Sequence, residues 1–281
     1  MPKPPSKTLV PLFVSDAIFL SDAELINGLI CILHVHTYKL KKGLKMKTVV
    51  HKSETRGSAN HGWLKSRHTF SFAGYYNPER MHFGALRVLN DDQVAEGMGF
   101  GTHPHDNMEI VSIPLEGDLE HKDSTGRNEV IKQGDVQIMS AGTGLQHSEY
   151  NHNKDQEVHF LQIWVFPKER DITPRYEQKS YSAEDRTNKW QTVVSPTDES
   201  AVWINQDATF SLANLDAGTE LNYEVKHPGN GVYFFVLSGE VEAAGEKLDT
   251  RDAVGVSETN NFKVKAGSYA EVLAIEVPMS F

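Results

Sequence analysis

A single cysteine, Cys31, is all that 281 residues contain, so no internal disulfide can form and nothing calls for an oxidising compartment. The expected setting is a reducing cytoplasm. Long apolar runs are missing too. The richest such stretch, residues 25–35, is interrupted by Asn27 and Gly28 and falls well short of the roughly 20 residues a membrane-spanning helix needs. No basic region precedes it and no clear small-residue cleavage site follows it, so neither an anchor nor a signal peptide is expected. Nor do cations dominate: 28 basic residues face 38 acidic ones, a net charge of −10. Binding to a phosphate backbone relies on counterion release by clustered Lys and Arg, so direct nucleic-acid binding is not expected. The acidic balance suits solubility and small-molecule chemistry, and leaves room for a basic partner protein.

What is present is a globular composition, 39% hydrophobic and 23% charged, in a chain long enough for two domains of roughly 100 to 150 residues each. The first 45 residues stand apart. They carry six lysines against Asp16, Asp22 and Glu24, a balance of +3, so the remainder of a chain whose total is −10 carries −13. Strand-like patterning begins only after Met46, which is expected to be the natural start, with 1–45 an upstream or poorly ordered extension.

From there the pattern is one of short β-rich pieces, at 83–89, 109–115, 129–131, 136–139 and 158–166, punctuated by turn signals such as Asn90-Asp91-Asp92, Glu116-Gly117-Asp118, Ser124-Thr125-Gly126 and Gln133-Gly134-Asp135. Strands every ten or so residues, without a long amphipathic helix, indicate an all-β sandwich or barrel. A second block repeats the style. Leu115-Glu116-Gly117-Asp118-Leu119-Glu120 is echoed by Leu237-Ser238-Gly239-Glu240-Val241-Glu242, and Gln133-Gly134-Asp135-Val136 distantly by Arg251-Asp252-Ala253-Val254. Two copies of one barrel unit are therefore expected, at 46–166 and 181–281. The stretch 167–180, with Pro167, Pro174 and a charged cluster, is expected to link them.

The most specific chemistry lies in the first copy. His103-Pro104-His105 is followed, 42 positions after His105, by His147-Ser148-Glu149. Side chains two apart on a strand share a face and are about 7 Å apart along the backbone. Two such pairs on facing strands offer three imidazoles and a carboxylate to one ion, a donor set that suits iron, manganese, nickel, copper or zinc better than magnesium or calcium. An isolated His-x-His carries little weight, and His34-Val35-His36 is the internal control: it has no carboxylate-bearing partner nearby and lies in the aberrant segment. The second copy holds only His227 and cannot build a paired-histidine site. His121 and Asp123 also alternate, which fits a pocket pair and a solvated or turn-stabilising pair equally well. His61 and His68 are expected to be hydrogen-bonded structural histidines.

These motifs resemble the cupin superfamily and, within it, the pirin family. Gly97, His103, His105 and Glu109 match the first cupin motif, with Gly117 one place late. Gly134, Ser140-Ala141-Gly142 and His147 match the second loosely, Ser140 standing for a proline and two extra residues preceding the histidine. Ala141-Gly142-Thr143-Gly144-Leu145-Gln146-His147-Ser148-Glu149 is similar to the pirin variant. Further marks are Gly57-Ser58-Ala59-Asn60-His61-Gly62-Trp63, His68-Thr69-Phe70-Ser71-Phe72 and Gln137-Ile138-Met139-Ser140-Ala141-Gly142. The resemblance spans about 46–281, strongly in the first unit and weakly in the second.

It implies a bicupin of two jelly-roll barrels, with metal ligands at His103, His105, His147 and Glu149. Glu109, the ligand of an ordinary cupin, is left structural. It also implies one divalent transition metal, iron(II) foremost, with manganese, nickel, copper, cobalt or zinc as alternatives. The implied activity is that of a quercetin 2,3-dioxygenase: O2 cleaves a flavonol-like aromatic molecule with release of carbon monoxide, and Glu149 accepts the flavonol hydroxyl proton. Aromatic residues of 70–76 are expected near the mouth. Two other readings stay open, a redox-sensitive metal protein that binds regulatory partners and a zinc-dependent cupin isomerase. Mass spectrometry of the native N-terminus is expected to find Met46 as the first residue; a protease-protected segment ahead of it would overturn that expectation.

Overall fold

The structure, a computed structural model, describes residues 46–281; the expected extension and the His34-Val35-His36 pair lie outside the described residues. Among the described residues the regular structure is all β, apart from two single-turn 3-10 segments, Ser53–Thr55 and Glu184–Arg186. Each of two barrels pairs a large antiparallel sheet with a small one. The first barrel's seven-stranded sheet runs, in spatial order, Arg175–Ser180, Asp135–Ser140, Glu109–Glu116, Val158–Val165, Leu86–Val94, Leu64–His68 and Gly57–Asn60. Its four-stranded sheet orders Gly99–His105, Leu145–Asn151, Leu119–Asp123 and Asn128–Ile131. The second barrel has a six-stranded and a four-stranded sheet. This is the bicupin architecture.

The large sheets face each other across an apolar core. Val111, Ile113, Ile138, Leu161 and Ile163 of the first barrel pack with Phe210, Leu212, Tyr233, Phe235, Leu273 and Ile275 of the second. Because side chains alternate along a strand, the positions between these point into the barrels. In the second barrel most inward positions are apolar, among them Leu215, Val232, Phe234, Val236, Val254 and Val272, closed by Tyr223 and Phe262, and the buried Glu276 is satisfied by the Tyr223 hydroxyl and the backbone N–H groups of Lys226 and His227. That interior is filled. In the first barrel the strands Glu109–Glu116 and Val158–Val165 instead turn Ser112 and Gln162 inward, both buried. The two repeats thus share a framework but differ in what they enclose.

Two strands cross the expected domain limits. Lys47–His51 pairs with Ala253–Ser257 in the second barrel's sheet. Arg175–Ser180, inside the stretch expected to be a linker, pairs along its whole length with Asp135–Ser140 of the first barrel. Just ahead of it, the Ile172 carbonyl accepts from the Thr143 backbone N–H at 3.0 Å, so the stretch is tied to the first barrel rather than a free spacer.

At the edge of the seam Asp91 gathers three partners. Its Oδ2 lies 3.2 Å from both terminal nitrogens of Arg56 and 3.3 Å from Nε of Arg251, which comes from the second unit. His159 Nε2 is 2.5 Å from Oδ1. Burial raises the Asp91 pKa, but the His159 hydrogen bond and the charges of Arg251 and Arg56 outweigh it and hold the carboxyl at about 2. Burial also lowers the Arg56 pKa against the pull of Asp91, yet a guanidinium starts so high that it stays charged.

A carboxyl whose folded pKa is depressed contributes stability above its unfolded value, and loses it as pH falls towards the folded one. Asp91 is therefore expected to contribute about 2 kcal/mol at neutral pH, lost between about pH 4 and pH 2. Asp91→Asn, which also strands the Arg56 charge, is expected to cost about 3–5 kcal/mol at pH 7 and to flatten that part of the acid limb. Urea unfolding across the pH range checks both.

Candidate metal centre

The site forms where the edge strand Gly99–His105 pairs with Leu145–Asn151. In register, His103 stands opposite His147 and His105 opposite Leu145, with an irregularity between His147 and Glu149. On its other side the same strand sets His147 against Asp123 and Glu149 against His121. Local sequence explains the approach. Gly99 is where the strands close tightly, since a Cβ there would lie 2.3 Å from the Glu149 carbonyl oxygen. Gly142, at φ +48°, turns the chain into the ligand strand, and a Cβ there would lie 2.0 Å from the Ile172 carbonyl oxygen. Both conditions favour glycine, which accounts physically for the Ala141-Gly142-Thr143-Gly144 turn.

One ring nitrogen from each of His103, His105 and His147 lies within 4.8 Å of the others, with ring centroids 4.4 to 4.9 Å apart. His103 and His105 are half-buried and His147 is 2% exposed. His103 Nδ1 is 2.8 Å from the Gly101 carbonyl oxygen. A carbonyl only accepts, so Nδ1 carries the proton and Nε2 keeps its lone pair, the tautomer a ligand needs. Neither ring nitrogen of His147 has a hydrogen-bond partner. Burial first, then the neighbouring imidazoles, lower the pKa of His147 to about 2; burial, then His103, lowers that of His105 to about 4. Both rings are neutral at pH 7. Buried, uncharged, unpartnered imidazoles at this spacing fit a transition-metal ion, whose ligand nitrogens sit about 2.0–2.1 Å from the metal.

Glu149 is 2% exposed and lies deeper. One of its oxygens is within 4.8 Å of donor atoms of His147 and His121. Gln162 Nε2 donates to Oε2 at 2.6 Å and the Ser112 hydroxyl sits 3.1 Å from Oε1, so the two inward polar residues of the large sheet hold the carboxylate in place. Burial is the largest influence on its pKa and, with the charge of Asp92, raises it to about 7 against the hydrogen bonds from Ser112 and Gln162.

The remaining sequence candidates separate cleanly. Glu109 is fully buried but faces the other side of its strand, towards the second unit. There its Oε2 accepts from the Ser140 hydroxyl at 2.8 Å and from the Asn205 backbone N–H at 3.0 Å, outside the ligand cluster. His121, left open by the sequence, is turned inward: it is 1% exposed and its Nε2 is 3.0 Å from Asp123 Oδ2. His68 is buried against Phe72, with Nδ1 unpartnered, whereas His61 is exposed. Of the aromatics at 70–76, Phe72 packs edge-on against Trp164, which packs edge-on against His105. Phe70 instead lies in the inter-barrel core and Tyr76 is in solvent. A cavity of about 680 Å³ opens beside His105, lined also by Asp106, Thr143, Leu145 and Gln146. Ser112, Gln162 and Trp164 escape sequence reading. The signal for the first two is a polar residue at a mid-strand position of an otherwise apolar strand.

Two barrels of unequal interior, the first carrying a histidine and glutamate cluster that fits a metal ion, define a bicupin. The chain belongs to the pirin family: the family profile described as Pirin matches residues 49–165, and that of the quercetinase C-terminal cupin domain matches 192–277. It is 42% identical over 228 residues to a quercetin 2,3-dioxygenase of Escherichia coli K12, covering 81% of this chain and 97% of that protein. It is 38% identical over 222 residues to a pirin-like protein of Caulobacter vibrioides, covering 78% and 95%. Among solved structures, the bacterial pirin YhhW from Escherichia coli in complex with nickel(II) superimposes with a TM-score of 0.78 at 41% identity, over 83% of this chain and 99% of that one.

Elemental analysis of purified variants tests the assignment. His147→Ala is expected to abolish stoichiometric uptake of a divalent metal. Glu109→Gln should leave uptake at the wild-type level and lower stability by about 1–3 kcal/mol, the cost of disturbing a buried hydrogen-bonded group.

Proposed function

We propose that this chain is a metal-dependent dioxygenase that opens flavonols such as quercetin with O2 and releases carbon monoxide, with His103, His105, His147 and Glu149 as metal ligands. The observation that carries the reading is the cluster itself: three imidazoles converge at one edge of the first barrel, with the buried carboxylate of Glu149 next to His147. The relatives named for quercetin cleavage support it, since this chain aligns with nearly their full length. A bound iron(II), or another divalent transition ion, would supply Lewis acidity towards the substrate oxygens and a meeting point for O2.

The residues divide the remaining work. His103 and His105 offer lone pairs from the edge strand, and His147 offers one from the strand paired with it. Glu149 takes the proton of the flavonol 3-hydroxyl. Its carboxylate is held by Gln162 and Ser112 yet keeps lone pairs to spare, because two oxygens provide about four acceptor directions. Removing that proton leaves an electron-rich enolate for attack on O2. Trp164, packed edge-on against both Phe72 and His105, places an aromatic surface beside the ligand His105, against which a flat polyphenol can lie. Holding substrate and oxidant together converts a bimolecular encounter into a positioned one.

Oxygen uptake matched one-to-one by carbon monoxide release, in metal-loaded protein given quercetin, is the expected result. His103→Ala is expected to reduce the rate by more than the about 10–100-fold that groups supporting a ligand cost. Absence of turnover over a panel of flavonols, in protein shown to carry stoichiometric iron, would exclude this activity.

A further inference from the structure

Two sets of three donors meet at His147. The first, His103, His105 and His147, lies at the edge strand, where His103 and His105 are half-buried; the second, His121, His147 and Glu149, is buried throughout. We infer that the buried set is a second position for a divalent cation, deeper in the barrel than the first and occupied in alternation with it. The inference rests on the reading that the barrel binds a metal, and goes beyond it in assigning His121 as a ligand and the ion two places to sit.

The hydrogen bonding of His121 is that of a prepared ligand. Its Nε2 is 3.0 Å from Asp123 Oδ2. Asp123 is fixed in turn by its other oxygen, which accepts from the Thr125 backbone N–H at 2.8 Å, the Thr125 hydroxyl at 2.5 Å and the Arg127 backbone N–H at 3.3 Å. A carboxylate only accepts, so Nε2 of His121 carries the proton and Nδ1 is left with a lone pair. That Nδ1 is buried and has no hydrogen-bond partner. A carboxylate behind an imidazole is the usual means of fixing a ligand's tautomer and raising its basicity. A buried polar atom without a partner otherwise costs free energy with no return.

The spacing points the same way. Donor atoms of His121, His147 and Glu149 lie within 4.8 Å of one another, but no hydrogen bond joins any two of these side chains among the described residues, and neither nitrogen of His147 is bonded to anything. Groups that surround one ion at about 2.0–2.2 Å sit roughly 3 to 4.4 Å apart, which overlaps hydrogen-bond distances only at the short end. Glu149 is engaged by Gln162 and Ser112 through one contact on each oxygen, which leaves acceptor capacity for a cation.

The two positions differ in chemistry. With Glu149 also a ligand of the first, as proposed above, three imidazoles and a carboxylate surround the ion there, against two imidazoles and a carboxylate in the second, a smaller mixed set that suits iron(II), manganese or zinc. Both positions draw on His147, and two divalent ions on one neutral ring would repel each other at close range in a dry interior. A single ion therefore chooses between them.

Cobalt(II) is the probe, because its visible absorption reports ligand number and type and its uptake can be counted by dialysis. Wild-type protein is expected to take up one cobalt. The His103→Ala/His105→Ala double variant, altered only at two half-exposed edge positions, is expected to keep one cobalt with at least about tenfold weaker affinity and a changed visible spectrum. Adding His121→Ala to that background should abolish uptake. In otherwise wild-type protein, His121→Ala should retain one cobalt but lose part of the visible spectrum. The inference is overturned if the double variant binds no cobalt while retaining the wild-type near-ultraviolet circular dichroism. It is overturned equally if the triple variant binds as well as the double, or if His121→Ala alone leaves the cobalt spectrum unchanged. Failure of the wild-type protein to bind cobalt would instead remove the metal reading on which it rests.

Discussion

The inner strands of the two large sheets have little wet face. All six residues of Asp135–Ser140 and all seven of Thr209–Leu215 are buried, one face in the core between the barrels and the other inside its own barrel. The rest of the molecule follows from this constraint. Where water is excluded on both sides, an inward polar residue must find a partner within the protein or leave its hydrogen-bonding capacity unmet. The second barrel limits the problem by turning Phe234, Val236 and Val254 inward and by giving its buried Glu276 a full set of protein donors. The first accepts it at Ser112, Gln162, His121, His147 and Glu149, and the unmet capacity that results is concentrated on imidazole nitrogens. Repeated architecture and unequal interiors together separate a structural half from a chemical half.

The seam between the halves is secured in two ways of different kind. Apolar burial between the sheets is broad and tolerant, built from Leu161, Ile163, Phe210, Tyr233 and their neighbours. Asp91 is local and demanding, since it must satisfy Arg56 and His159 while reaching Arg251 of the second unit. A charge cluster at the edge of a dry interface adds little net attraction after desolvation, but it penalises any sliding that would leave one member unpaired. Its contribution is to the register of the two sheets more than to their adhesion.

Much of this was legible in the chain. Alternating short segments, turn dipeptides and the Leu115/Leu237 echo announce two β units, because side-chain alternation and turn chemistry are local properties. His103, His105, His147 and Glu149 were legible for the same reason: residues two apart on a strand must share a face. What escaped depends on long-range pairing. Nothing near Lys47–His51 signals that it will pair with Ala253–Ser257 some 200 residues on. Residues 175–180 carry prolines and charges nearby that suggest a spacer, yet they complete a sheet. His121 was ambiguous because His-x-Asp alternation does not say which side of its strand is inside. Only the pairing of Glu149 with His121 settles the face.

The exchange of strands has an evolutionary reading. A duplicated barrel usually leaves two modules that can be parted, recombined or lost one at a time. Here the first unit begins with a strand that completes the second unit's sheet, and the chain after the first unit returns to complete the first. Cutting between the units would leave Ala253–Ser257 and Asp135–Ser140 each with a bare edge, a row of open N–H and C=O groups that invites pairing with other chains. A barrel without a paired-histidine site is thereby tied to the one that carries it, because parting the two exposes an open edge in each.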